Sequence, residues 1–184
     1  GDITCVSTGG SITIDAIPTA PTAPTVASIV QPTCAVQSGT IVFTSQAGVE
    51  YSIDGVNFQA SETFAGLAPN TYTLTVRSTT DNTCTTDAAS TVTIDAVPTA
   101  PAAPVASVTV QPTCAVPNGT IEFTSQVGVE YSIDGGATYQ AGTTFASLTP
   151  GSYDLAVRST TDNTCETISG SLTIDAVPNA PTID

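Results

Sequence analysis

Hydrophobic and polar residues alternate with period two along short stretches of this chain, and each stretch begins or ends at a turn signal. The clearest stretch follows Pro69, where Tyr72, Leu74 and Val76 alternate with Thr and Arg. Such alternation predicts a β-strand with one buried face, and the proline presets the turn that precedes it. No stretch has a helical period, so the pattern predicts an all-β chain.

The same reading, applied to residues 25–104, predicts seven short strands with turn signals between them. The first is a weak pattern beside prolines and is expected at a sheet edge. Seven short strands at this spacing indicate a β-sandwich. The predicted strands are about Val26–Gln31, Thr40–Ser45, Val49–Asp54, two short ones near Phe58 and Phe64, Tyr72–Ser78 and Thr91–Ala96.

A Leu-x-Pro-x-x-Tyr turn leads into the sixth strand and occurs twice, with Pro69 and Tyr72 in one copy and Pro150 and Tyr153 in the other. It resembles the tyrosine corner of immunoglobulin-like and fibronectin-like sandwiches, in which the phenol bonds to upstream backbone. We therefore predict tandem immunoglobulin-like or fibronectin-like β-sandwich repeats, with these prolines and tyrosines in structural roles.

Motifs return at a spacing of 80 residues, which divides the chain into repeats. Gln-Pro-Thr-Cys-Ala-Val begins at Gln31 and again at Gln111, and Ile-Asp-Ala-Val-Pro begins at Ile94 and again at Ile174. A similar Ile-Asp-Ala-Ile-Pro begins at Ile14. We predict the C-terminal remnant of a preceding repeat over residues 1–24, followed by whole repeats over 25–104 and 105–184. Two single-residue length differences between the repeats are expected in loops.

Proline-rich segments, residues 18–24 and 98–104, join the predicted repeats. Three prolines in seven residues favour extended polyproline II geometry at about 3.1 Å per residue. We expect each segment to be a semi-rigid spacer between repeats.

The charge balance excludes some classes of partner. Two Lys plus Arg stand against sixteen Asp plus Glu, a net charge of −14. The chain therefore has almost nothing with which to neutralise nucleic-acid phosphates or to bind an anionic membrane. No apolar run is long enough to insert into a membrane, and no signal sequence opens the chain. The hydrophobic content of 40 % excludes disorder.

Five cysteines with no histidine and no Cys-x-x-Cys pair favour disulfides over zinc, and hence an oxidising, extracellular location at the cell surface. Cys34 lies in the first turn of its repeat and Cys84 in the last. Those turns lie at opposite ends of such a sandwich, about 23 Å apart for a seven-residue strand, whereas a disulfide needs Cα atoms about 5.5 Å apart. Head-to-tail stacking would instead bring Cys34 to Cys165 of the next repeat.

The interdomain pair Cys34 with Cys165 is therefore favoured. The alternative is intradomain pairing of Cys34 with Cys84 and of Cys114 with Cys165. Cys5 is left without a partner in either scheme, because that partner would lie upstream of residue 1.

Candidate chemical sites are few. With no His or Lys to activate a nucleophile, no catalytic residue is predicted and the chain is not expected to be an enzyme. Arg77 and Arg158 occupy equivalent positions and are expected either in surface ion pairs or as outward strand residues, with contact to an anion or a sugar as the alternative. No cofactor is predicted, although Asp95, Asp162 and Asn163 would present oxygen ligands to Ca²⁺ if neighbouring repeats bring them together.

Four sequence features mark the repeats: Cys-x-x-x-x-Gly-x-Ile from Cys34, Glu-Tyr-Ser-Ile-Asp-Gly from Glu50, the Leu-x-Pro-x-x-Tyr turn, and the closing Asp-Asn-Thr-Cys. Together they resemble repeats of giant Bacteroidota surface adhesins, of which the SprB-type gliding motility adhesin is one. The resemblance implies export by the type IX route and a role in a long adhesive filament, with neighbouring repeats and an unknown surface or glycan receptor as partners. We predict structural stalk repeats. The alternative is a carbohydrate- or ligand-binding module that uses exposed Phe58 or Tyr139.

Overall fold

The computed structural model describes residues 9–14 and 16–180, and every regular element among them is a β-strand. The prediction of an all-β chain is confirmed. The strands are β1 (Val26–Val30), β2 (Gly39–Phe43), β3 (Val49–Ser52), β4 (Thr63–Leu67), β5 (Asn70–Tyr72), β6 (Thr75–Ser78), β7 (Thr85–Asp87), β8 (Val92–Ile94), β9 (Ala106–Val110), β10 (Gly119–Phe123), β11 (Val129–Ser132), β12 (Thr144–Leu148), β13 (Gly151–Ser159) and β14 (Glu166–Ile174).

The strands form small sheets whose order is the same in both sequence repeats. In the second repeat the sheets are β12-β10-β9 and β11-β13-β14, with antiparallel pairing throughout. In the first repeat β1-β2-β4 and β3-β6-β7 correspond to these sheets, and β5 pairs with β8. Each repeat therefore has two three-stranded sheets that use its strands in the same connection order.

By Cα proximity the chain divides into two compact units that do not coincide with the sequence repeats. One unit comprises Gly1–Ser28, Val42–Phe64 and Tyr72–Val92, and the other comprises Ile29–Ile41, Ala65–Thr71 and Thr93–Asp184. The second unit thus contains all of the second repeat together with three segments of the first repeat, one of which includes its first turn. The domain boundaries after residues 24 and 104 stay a prediction.

In the second unit, one hydrophobic core is shared by both sheets of the second repeat. Ile121 and Phe123 come from β10, whereas Tyr131 and Val157 come from β11 and β13. Alternate residues of each strand enter this core, as the period-two pattern requires. The Phe123 ring contacts Tyr131 at 4.9 Å and Phe145 at 5.6 Å between centroids. The two sheets therefore enclose a common core.

In the first unit, Tyr51 and Phe43 pack against each other as Tyr131 and Phe123 do in the second unit. Both side chains are buried, and their ring centroids lie 5.0 Å apart. The buried phenol oxygen of Tyr51 accepts the Gln46 N–H at 2.6 Å, and Tyr131 accepts the Gln126 N–H at the same distance. Burial of these tyrosines therefore leaves no unsatisfied phenol, as burial of a polar group requires.

Both arginines lie in ion pairs, which is one of the interpretations that the sequence left open. Arg77 bonds Glu50 across the β3–β6 pair at 2.7 Å, and Arg158 bonds Glu130 across β11–β13 at 2.8 Å. The two partners are directly opposite in each register, so the sheet geometry itself sets the ion pair.

The predicted strand near Phe58 is not formed. Gln59 makes only an isolated bridge with Tyr51, because the preceding turn is closed by Asp54, which accepts the N–H groups of Val56 and Asn57. The first repeat nevertheless has eight strands, because it gains β7 and its sixth predicted strand is divided into β5 and β6, whereas the second repeat has six.

The predicted strand Tyr72–Ser78 is interrupted in the first repeat, where β5 ends at Tyr72 and β6 begins at Thr75. Its counterpart β13 is continuous over nine residues. The second length difference falls in a loop of the first repeat, residues 88–91 between β7 and β8. The shorter second repeat has no such loop, and β14 runs continuously there, with a bulge between the pairs Asp154–Ser171 and Ala156–Ile168.

A second bulge lies in β12, where three steps from Phe145 to Leu148 match two from Ile121 to Gly119. Ser147 takes φ 59° there, and the equivalent residue in the first repeat is Gly66 at φ 71°. A left-handed residue is typical of such bulges and favours glycine.

Tyr153 makes the hydrogen bond that a tyrosine corner requires. Its hydroxyl donates to the Thr149 carbonyl oxygen at 2.7 Å, four residues upstream and just before Pro150. The bond ties the entry of β13 to its preceding turn. Tyr72, the equivalent residue in the first repeat, is half-buried.

Candidate functional site: the joint at Cys34 and Cys165

Two turns that are far apart in sequence meet within the second unit. The first is the Thr33 turn, in which the Thr33 N–H bonds the Val36 carbonyl oxygen at 2.8 Å and the Thr33 hydroxyl accepts the Val36 N–H. The second is the Asp162 turn, in which the Cys165 N–H bonds the Asp162 carbonyl oxygen at 2.9 Å. Each turn is closed by its own Thr or Asp side chain, as such residues favour. Both present a cysteine to the other.

A disulfide joins the two turns. Cys34 and Cys165 are bonded with their Cα atoms 5.0 Å apart and 131 residues apart in sequence. This is the pair favoured from the sequence, and it links the first repeat to the second. The alternative pairs, Cys34 with Cys84 and Cys114 with Cys165, are not formed, and Cys84 and Cys114 are free thiols. Cys5 lies outside the described residues.

Asp162 connects the turns by hydrogen bonds as well. Its Oδ2 accepts the Cys34 N–H at 3.0 Å, and its Oδ1 accepts both the N–H and the hydroxyl of Thr164. The Thr164 hydroxyl oxygen also accepts the Ala35 N–H at 3.2 Å. The Thr164 hydroxyl first, and then the Cys34 N–H, hold the pKa of Asp162 below its usual value, because both stabilise the carboxylate. We call Cys34, Ala35, Asp162, Thr164 and Cys165 the joint.

The chain that leaves the first repeat runs past the joint. The Cys34 sulfur lies 3.4 Å from the Pro98 carbonyl oxygen. Before that, Gln31 donates to the Thr93 carbonyl oxygen and accepts the Asp95 N–H at 2.9 Å. The Thr33 turn is thereby fastened to the end of its own repeat, so the joint also fixes where the proline-rich segment starts.

The proline-rich segments are docked along their length. Thr167 of β14 donates its hydroxyl to the Pro101 carbonyl oxygen at 2.7 Å, and Gln126 bonds the carbonyl oxygens of Ala102 and Ala103. In the first unit Thr86 bonds Pro21 in the same way at 2.8 Å. The segments are more than spacers, because their carbonyl groups are held by the repeat that follows them.

The calcium candidates are not gathered into one site. Asp95 is exposed and Asn163 is exposed, whereas Asp162 is half-buried in the joint. Within the described ranges, the metal-ligating group that includes Asp162 consists of it, Cys34 and Cys165, and the disulfide occupies both sulfurs. Calcium binding stays a hypothesis without a geometric basis in this joint.

The aromatic candidates for ligand binding are half-buried, which corrects the expectation that they are exposed. The Arg77 guanidinium lies 4.2 Å from the Phe58 ring centroid, and that of Arg158 lies 4.1 Å from the Tyr139 ring centroid. The Tyr139 hydroxyl donates to Glu166 at 2.6 Å. Burial first, and then this carboxylate, raises the pKa of Tyr139 well above its usual value. One face of each ring is therefore already covered by a cation.

Sequence reasoning missed Thr164 and Gln31. The Asp-x-Thr spacing at Asp162 is a signal for a side-chain-closed turn, and the sequence repeats it at Asp81. Gln31 carried no such local signal, because its partners lie 62 and 64 residues further along the chain.

No protein-family model matches this chain, and no curated protein matches it. Among the residues that the structure describes, no helix is long and apolar enough to cross a membrane.

Proposed function

We propose that this chain is a run of structural stalk repeats, joined end to end by disulfides across successive repeats, in a long surface adhesin or filament. The observation that carries the proposal is the Cys34–Cys165 bond, because it links the first turn of one repeat to the last turn of the next. A bond placed there restrains bending between repeats. It leaves the cores of both repeats unchanged.

Docking of the proline-rich segments supports the same function. A connection whose carbonyl groups are held by Thr167 and Gln126 loses the freedom of an ordinary linker. Covalent and hydrogen-bonded restraints therefore act on the same connection. Two kinds of restraint on the same connection suit a protein stalk that carries mechanical load along its length.

Charge also supports a stalk. Both arginines of the chain form ion pairs, with Glu50 and Glu130, so the remaining side-chain charge is negative. Like-charged stalks repel one another and stay dispersed at high surface density. An arginine already occupies one face of the Phe58 ring and of the Tyr139 ring, which counts against the carbohydrate-binding alternative.

The finer fold and the cellular setting belong to this proposal. We assign each repeat an immunoglobulin-like or fibronectin-like sandwich with boundaries at residues 25–104 and 105–184, on the strength of the two-sheet order and the Tyr153 corner. A disulfide favours an oxidising, extracellular location. The motif resemblance to Bacteroidota gliding adhesins points to the cell surface and to type IX export.

The test measures movement across the joint, and the two free thiols provide the label sites. Spin labels on Cys84 and Cys114, in a chain that carries Cys5→Ser, report the distance distribution between the repeats. We expect a narrow distribution with the Cys34–Cys165 bond intact, and a broad one in the matched Cys34→Ser, Cys165→Ser variant. Equal widths in the two proteins would show that the bond does not stiffen the connection, and the stalk proposal would then lose its basis.

A further inference from the structure

The loop around Cys84 repeats the Asp162 side of the joint. The Cys84 N–H bonds the Asp81 carbonyl oxygen at 3.0 Å, and Asp81 Oδ1 accepts the N–H and hydroxyl of Thr83. These are the bonds that Cys165 and Asp162 make in the joint. The Cys84 sulfur lies 4.0 Å from the Pro18 carbonyl oxygen, at the start of the preceding proline-rich segment.

Burial separates the two loops. Cys165 is 1 % exposed beneath the Thr33 turn, whereas Cys84 is a half-buried free thiol. The loop that ends at Cys84 thus has the same hydrogen bonds as the loop that ends at Cys165, but only the Cys165 loop is covered by a Thr33 turn.

A second observation, independent of the cysteines, comes from residues 9–14. Ser-Ile-Thr-Ile at 11–14 matches Ser-Leu-Thr-Ile at 171–174 and Thr-Val-Thr-Ile at 91–94. In those two places the segment is the last strand of a repeat, and its final isoleucine, Ile94 or Ile174, is buried. Ile12 and Ile14 are instead 92 % and 91 % exposed.

Two isoleucines on one face of a strand-forming segment need an apolar cover. The chain itself shows what covers this sequence elsewhere. In the second unit, Ile174 fills the space left by Gly119, where a Cβ atom would lie 2.7 Å from the Ile174 side chain, and β14 pairs with β13. A glutamine of the first turn, Gln111, accepts the Asp175 N–H beside it.

We propose that residues 9–14 are a donor strand for a further copy of this repeat, and that the same copy places the cysteine of its Gln-Pro-Thr-Cys turn on Cys84. The inference rests on the proposed function, since it extends the joint to a second position. By the β13–β14 register, Ile12 lies opposite the corner tyrosine of that copy. Its buried glycine receives Ile14, and the N–H of its cysteine bonds Asp81.

Cys114 carries the other half of a joint. Its turn repeats the Thr33 turn, with the Thr113 N–H bonded to the Val116 carbonyl oxygen at 2.8 Å, and its thiol donates to the Pro178 carbonyl oxygen at 3.1 Å. The first repeat thus presents one half of a joint and the second repeat presents the complementary half, which is what a head-to-tail series needs.

Closing the bond at Cys84 converts two thiols into one disulfide. The two thiols release two protons and two electrons, and a low-molecular-weight disulfide such as oxidised glutathione takes up both to give two thiols. The reaction proceeds by thiolate attack and exchange.

The test extends the chain and leaves residues 5–184 intact. A copy of residues 25–83 is placed directly before Cys5, so that residues 5–14 become the end of that copy. After oxidation with glutathione and peptide mapping without reduction, we expect the first cysteine of the copy to be linked to Cys84, with Cys34–Cys165 retained. Cys84 should become resistant to alkylation in the folded protein.

The control is Ile14→Asp. It should lower the melting temperature and the yield of the Cys84 linkage in the extended chain, while the 184-residue chain keeps its melting temperature. A Cys84 that stays alkylatable or pairs with Cys5, while Cys34–Cys165 forms normally, would overturn the inference. That result leaves the label-distance test unaffected, because the latter uses the 184-residue chain.

Discussion

In each repeat, one glycine of the second strand, Gly39 or Gly119, decides how closely the last strand can approach. Gly119 is buried in extended backbone, and a Cβ atom there would lie 2.7 Å from Ile174 and 2.9 Å from the Val110 carbonyl oxygen. Gly39 is surrounded in the same way by Ile94 and Val30. The requirement is for space, because neither residue has a positive φ.

Gly119→Ala should therefore destabilise the protein by about 1–3 kcal/mol, the usual range for overpacking a filled core. Urea unfolding of the whole chain measures it. Gly142→Ala is the matched control, since only the flexible Gln140 amide lies within reach of its Cβ, at 3.5 Å. An alanine tolerated at both positions would mean that Ile174 does not fill this space.

Asp134 closes its turn as a carboxylate. Hydrogen bonds from the Ser132 hydroxyl first, and then from the Thr138 hydroxyl and N–H, lower the pKa of Asp134 to about 2. Because the pKa in the folded state lies below that of the unfolded chain, its contribution to stability is present above about pH 4 and is lost as the pH falls toward 2.

Asp134→Asn should remove this part of the acid sensitivity. We expect the free energy difference between wild type and variant to shrink as the pH is lowered from 5 to 2. Urea midpoints at each pH provide the comparison. A difference that stays constant across that range would contradict the role of the ionised side chain.

At the scale of elements, the tyrosine corner fixes the start of β13. Tyr153→Phe removes the 2.7 Å bond to Thr149 and should lower the free energy of unfolding by about 1 kcal/mol, the net value of a typical hydrogen bond. Thermal or urea unfolding measures the loss. Thr149→Ala keeps the accepting carbonyl group and should have the smaller effect, so the reverse order would show that the corner bond contributes little.

The bulge in β12 and its counterpart in the first repeat allow two opposite substitutions, Gly66→Ser and Ser147→Gly. Ser147 holds φ 59° where the first repeat has Gly66, and a left-handed non-glycine residue costs about 1–2 kcal/mol. Gly66→Ser should therefore destabilise the protein by about 1 kcal/mol. Ser147→Gly should change stability less, because the greater freedom of glycine in the unfolded chain offsets the relief of strain. Equal and opposite effects on the urea midpoint would show that backbone strain alone decides the outcome.

At the scale of the whole molecule, the disulfide closes a span of 131 residues. The chain-entropy model gives about 5 kcal/mol for such a loop as an upper value. The Cys34→Ser, Cys165→Ser variant should melt at a lower temperature, whereas Cys84→Ser, Cys114→Ser should not. Calorimetry without reductant makes the comparison, and indistinguishable melting of the two variants would contradict a stabilising bond.

At the scale of the whole molecule, most strands of the first repeat could be predicted from the sequence. In the first repeat, alternation predicted β1 to β4, β6 and β8, missed β7 and all of β5 except Tyr72, and added one strand at Phe58 that does not form. The error at Phe58 arose because Asp54 closes a turn with its side chain, which overrides a weak strand pattern. The continuous β13 and the broken pair β5 and β6 were not distinguishable, since nearly identical residues occur in both.

The sequence by itself determined the all-β character, the period of 80 residues and the acidic surface, because alternation, repetition and charge act between neighbours or by composition. Only the tertiary structure decided that Cys34 bonds Cys165, that the proline-rich segments dock, and that Phe58 and Tyr139 lie beneath arginines. Those contacts join residues that are tens of positions apart. Local preference does not encode such distances, and they are set when the sheets and turns meet.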